Sequence, residues 1–163
     1  MNWLFNGLPL HVLLVHFVVI VVPLTALCLV LATAWPAARR RLGIVTPLLA
    51  LSALISIPLT TEAGEALEEQ VNETALSEIH ADLGEDLLPW VIALFVVALA
   101  HWAWYRFFAG GGPFAHRVTS RSVRVAVTVL FIVAVAAVVI GSVVTVVIIG
   151  ESGVRAAWES RIG

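Results

Sequence analysis

Residues 60–86 read TTEAGEALEEQVNETALSEIHADLGED, and this stretch holds nine of the eleven acidic residues of the chain and no cation. Apolar sequence runs away from it on both sides. Gly43 to Thr61 leads into it and Leu87 to Tyr105 leads out, each close to the ~20 residues that a helix needs to cross a bilayer. Two longer runs of the same kind lie further out, Leu8 to Trp35 and Val123 to Gly150. With 163 residues, 61% of them hydrophobic, and a mean hydropathy of +1.03, the chain is far more apolar than a soluble domain, in which about half of the residues are apolar. The expectation is all-α: one polytopic integral membrane four-helix bundle, with spans at about residues 9–35, 43–61, 87–105 and 123–150.

The acidic stretch continues the helical pattern beyond the membrane. Thr60, Ala63, Leu67 and Val71 recur at helical spacing, with Glu62, Glu65 and Glu69 on the opposite face. Leu76, Ile79, His80, Leu83 and Leu87 form one stripe on the way back, which turns His80 inward. Helices two and three therefore extend as an outer acidic hairpin over 60–86, with its turn at Asn72 to Thr74. That turn also spells an Asn-x-Thr sequon, a short and weak match. After Gly150, Val154, Trp158 and Ile162 stand four apart, predicting a short amphipathic helix over 151–163 lying at the outer surface.

Orientation follows from the arginines. Arg39, Arg40 and Arg41 follow span one, while Arg106, Arg117, Arg121 and Arg124 lie between spans three and four, and neither connection carries an acidic residue. Positive connections stay cytoplasmic, so both termini and the acidic hairpin face outward, in a multi-pass protein of a bacterial inner membrane. The first span lacks a basic leader segment and carries His11 and His16, which marks it as a retained span rather than a signal peptide. Asn6 is placed to cap it, with Pro9 near its first position and Pro23 as a kink. The lone Cys28 excludes an internal disulfide and a cysteine-based zinc site. Gly110 to Pro113 is a chain breaker without a P-loop pattern. Ala137, Gly141 and Thr145 form a small-residue ridge on helix four that permits close packing.

Heights locate a candidate site. Counting ~20 residues outward from each inner arginine, at ~1.5 Å per residue, puts His16, Glu65 and Glu68 roughly 3 to 8 Å above the outer boundary, and His80, Glu151 and His11 roughly 9 to 12 Å above it. Imidazole and carboxylate from several helices thus reach one level, which is how bundles build metal and cofactor sites. His16, His80, Glu68 and Glu151 form the candidate metal set. For a haem, such as haem b, His80 pairs with His16 or His11 as axial ligands. His11 and His16 stand about 140° apart around one helix, so both do not face one small centre. A histidine on an apolar stripe is more often a hydrogen-bonded core residue, and an acidic run is more often a solvated face. Two imidazoles at one height are, however, expensive to bury without a partner. His101 and His116 lie near the arginines, far from this level.

GLPLHVLLVHF at residues 7–17, GEALEE at 64–69 followed by His80 and Gly84, and GESGVRAAW at 150–158 together resemble the bacterial membrane family called domain of unknown function 2231. The resemblance spans nearly the whole chain. It implies four spans and places His11, His16, Glu68 and His80 at the site, with a histidine frequent where this chain has Glu151. It implies no activity.

Three function classes remain. The first is a redox or metal-handling membrane protein with an outward His/Glu site holding a transition metal or haem. The second is a non-catalytic accessory subunit, either self-associating or stabilising a larger membrane complex through the Gly141 ridge and the tail. The third is a small transporter or proton relay, disfavoured because no charge lies in mid-span. The lipid bilayer is the partner common to all three, and nothing points to nucleic acid. HVLLVH is not the HExxH of zinc proteases, and the serines lack the glycines of a nucleophile elbow, so no hydrolase is supported and no reaction is identified.

Overall fold

The computed structural model describes residues 4–5, 7–68, 75–109 and 111–162 and is helical almost throughout. A two-residue ladder opens it, β1 (Leu4–Phe5) pairing antiparallel with β2 (Leu8–Pro9) across Gly7, whose φ of 81° suits glycine. Then come α1 (Leu10–Ala34), α2 (Pro36–Leu42), α3 (Val45–Glu68), α4 (Ala75–Glu85), α5 (Leu87–Ala103) and α6 (Arg121–Ile162). A π-helical turn, Trp104–Phe108, closes α5. Four stretches are long and apolar enough to cross a membrane: Leu10–Ala34, Val45–Leu67, Ile79–Phe108 and Arg121–Arg155.

Helix α1 packs against α3 and α6, and α5 packs against the same two, so the four long helices form a ring. Its interior is filled by Val22 and Leu29 of α1, Ala50 and Ala53 of α3, Val91 and Leu94 of α5, and Val135 and Val138 of α6. Outward faces stay apolar too, as at Ile20, Leu27, Leu130 and Ile140, which is the surface a lipid solvent favours. Gly141 of the small-residue ridge meets α5, because a Cβ added there would collide with the six-membered ring of Trp90, whereas Ala137 of the same ridge is exposed.

Two seams, buried along the span and half-buried at His11 and His80, repeat every seven residues. On α1 the seam is His11, Val18, Thr25 and Ala32; on α4 and α5 it is His80, Leu87, Leu94 and His101. A seven-residue step keeps a seam facing one neighbour in nearly parallel packing. His80 and His101 are thereby the two ends of one seam, 21 residues or about 31 Å apart, close to a hydrocarbon core thickness.

Several boundaries differ from the sequence reading. Helix α1 starts at Leu10 with Pro9 as its N-cap, one step later than a start at Pro9, and it runs on through Pro23; the capping role of Asn6 falls outside the described residues. The arginine run after span one is helical as α2, which Pro36 begins, its fixed φ being preset for a first turn. The segment after Gly150 does not lie flat as a separate helix. Instead α6 continues unbroken for 42 residues, about 63 Å, and α4 packs against its far end. That contact gives the tail a helix to lean on and removes the reason to turn at Gly150. Helix α3 runs on to Glu68 with Ala63 buried and Glu62 and Glu65 exposed, whereas Glu69, Val71 and the turn at Asn72 to Thr74 lie outside the described residues. Ile79, expected on the inward stripe, is 51% exposed, so that face is narrower and centres on His80.

Candidate functional site

At the acidic end of the molecule four helices meet around two imidazoles. His11, in the first turn of α1, directs Nδ1 to the backbone carbonyl of Thr60 on α3 at 3.0 Å. His80 of α4 directs Nδ1 to the hydroxyl of Ser152 on α6 at 2.8 Å. Their ring centroids stand 6.4 Å apart, with the planes at 87°. Each ring lies over a glycine: a Cβ at Gly64 would come within 3.0 Å of His11 Cε1 and Nδ1, and a Cβ at Gly153 within 3.0 Å of His80 Cε1. Both glycines are helical, so their value here is the missing side chain rather than an unusual backbone angle.

The partners bear on both tautomers. The Thr60 carbonyl can only accept, so His11 Nδ1 carries the proton. Ser152 Oγ also lies 2.8 Å from the Ile149 carbonyl, and with its hydroxyl proton directed there its oxygen accepts a hydrogen bond from His80 Nδ1. In the neutral state both rings then present Nε2 as a lone pair. An imidazole whose Nδ1–H is held by an oxygen acceptor, leaving Nε2 free, is the form in which histidine binds metals. Two imidazoles sharing one ion through Nε2 at ~2.0–2.1 Å would hold their centroids roughly 5 Å apart at a tetrahedral angle and roughly 6.4 Å apart across a straight N–metal–N line.

The other expected site residues lie elsewhere. His16 is exposed and bonds only its own helix, Nδ1 to the Val12 carbonyl at 2.6 Å. It shares a face with Ile20 and Leu27, 66% and 54% exposed, that points away from the ring of helices. His11 thus takes the place beside His80 expected for His16, because His11 and not His16 keeps step with Val18, Thr25 and Ala32. Glu151 is exposed and pairs with Arg155 at 2.6 Å, one turn along α6. Glu68 ends α3, and its side chain lies outside the described residues. Among the described residues no three His, Cys, Asp or Glu side chains gather as a metal-binding group.

Sequence reasoning missed Thr60, Gly64, Ser152 and Gly153 as members of the site. The seven-residue step from His11 to Ala32 was the available signal for choosing between the two histidines of α1. Set against protein-family models, curated proteins and solved structures, the chain shows no match.

Proposed function

We propose that this chain is a polytopic membrane four-helix bundle whose outward acidic end carries a two-imidazole centre, His11 and His80, for a transition metal or haem in redox or metal handling. The observation that carries the reading is the pair of imidazoles, each held at Nδ1 by an oxygen of another helix, at a centroid separation of 6.4 Å. His11 and His80 would hold a haem through their Nε2 atoms, and the haem would supply one-electron redox chemistry there. A bare ion would take the same two nitrogens and need further donors, a role in which Glu68 at the end of α3 is the proposed carboxylate. The four-residue set built on His16 and Glu151 has no support in the arrangement of the helices.

Purification in detergent, followed by an absorption spectrum and metal analysis, tests the proposal. A Soret band identifies haem; a stoichiometric metal without one identifies the non-haem form. His11→Ala and His80→Ala should each abolish that signal with helix content unchanged, while His101→Ala, at the arginine end, should retain it. Equal retention in all three variants, or no bound group in the unaltered protein, would sink the reading.

An accessory-subunit role is the second reading, favoured by Val154 and Trp158, which are 60% and 53% exposed toward the far end of the 42-residue α6. A bilayer-embedded partner or a second copy of the chain would use that face. Normal assembly of His80→Ala into a larger complex, with no cofactor in the unaltered protein, is the outcome that selects it.

A further inference from the structure

The opposite end of the molecule holds a second chemical feature. A cavity of about 220 Å³ opens there, lined by Arg39, Arg40, Thr46, Trp102, Tyr105 and Arg106 among others, with no carboxylate in its wall. All described acidic side chains belong to residues 62–86 and to Glu151, at the other end of the bundle. Arg39 is already engaged: its guanidinium donates to the Ala32 and Thr33 carbonyls at 2.8 and 3.1 Å and lies 3.5 Å over the Tyr105 ring. Arg40 and Arg106 are exposed beside it. The third contribution is a helix start. Leu48 N–H bonds the Ile44 carbonyl, which makes Ile44 the N-cap of the 24-residue α3, so the N–H groups of Val45 and Thr46 have no acceptor inside the helix. Thr46 itself lines the cavity, is only 3% exposed, and its Oγ1 has no hydrogen-bond partner. A buried hydroxyl without a partner is uncommon in folded proteins and calls for an acceptor or donor that the chain does not supply.

Arg40 and Arg106, the helix start at Thr46 and its unsatisfied hydroxyl thus line one small space. We propose that this cavity is an oxyanion site that takes a phosphate group, carried by an anionic phospholipid headgroup or free as inorganic phosphate. Basic pockets between membrane helices bind lipid headgroups by this chemistry. The volume lies below the ~300–1,000 Å³ of pockets for larger organic ligands, which suits a headgroup phosphate.

Protein in neutral detergent is titrated separately with dioleoylphosphatidylglycerol, dioleoylphosphatidylcholine and inorganic phosphate, while the thermal midpoint is followed. The unaltered chain should show a saturable rise with phosphatidylglycerol that exceeds the rise with zwitterionic phosphatidylcholine. Thr46→Val and the exposed pair Arg40→Gln/Arg106→Gln should each weaken the apparent affinity about tenfold, the size of one lost charge-assisted bond. A response to phosphatidylglycerol alone assigns the headgroup; competition by inorganic phosphate assigns the free ion as well. No rise with either, or an equal rise in the variants, overturns the site.

Discussion

Ser152 and Gly153 decide what His80 can offer, the one by accepting its Nδ1 proton and the other by having no side chain. Placing a methyl at Gly153 puts a carbon within 3.0 Å of the ring, so the imidazole must shift by a few tenths of an ångström or the helices must part. Gly153→Ala should therefore lower stability on the order of 1–3 kcal/mol and disturb the site. The ring ¹⁵N spectrum of His80 checks this beside the melting temperature, since an unperturbed Nδ1–H tautomer in the variant would show that the close approach is unimportant. Neither Ser152 nor Gly153 could be recognised beforehand. A serine and a glycine near a chain end are unremarkable in sequence, and their meaning arises only when α4 lies across α6. His11 differs in this respect, since its step of seven to Val18, Thr25 and Ala32 is written in the sequence. Counting heights alone placed both His11 and His16 near the acidic level and could not separate the buried face from the lipid face.

At the scale of elements, hydropathy made the four spans legible, because only long apolar helices satisfy their backbone groups within lipid. The ends were less legible. A polar continuation such as 151–162 has the same amphipathic pattern whether it lies on a membrane or leans on another helix, and α4 supplies the second option. Contact between α5 and α6 depends on Gly141, against which the Trp90 ring is laid. Gly141→Leu should separate the two helices and lower the midpoint of thermal unfolding, the overpacking being on the order of 1–3 kcal/mol. An unchanged midpoint in detergent would mean that Trp90 swings away at little cost, as its 38% exposure leaves room to test.

The molecule as a whole has two chemically opposite ends, one acidic with two imidazoles and one with arginines and no carboxylate. The proposed orientation puts the arginine end in the cytoplasm. A cysteine at Gly84 should then react with an impermeant maleimide on intact cells, and one at Gly111 only after permeabilisation; the reverse pattern would invert the topology. Neither position has a neighbour within 4 Å of an added Cβ, so labelling reports sidedness rather than burial. One continuous α6 ties these ends together, and its residue count sets the angular phase of the site. Arg124 and Ser152 are 28 residues apart on an unbroken helix, so inserting a single alanine after Gly150 turns Ser152 and Gly153 by about 100° and lifts them by about 1.5 Å. The apolar span below is untouched by such an insertion, yet His80 then faces a different side of the rod. Amide exchange should quicken across α4 while the spans stay protected, and equal protection of α4 would show that its docking tolerates a change of phase.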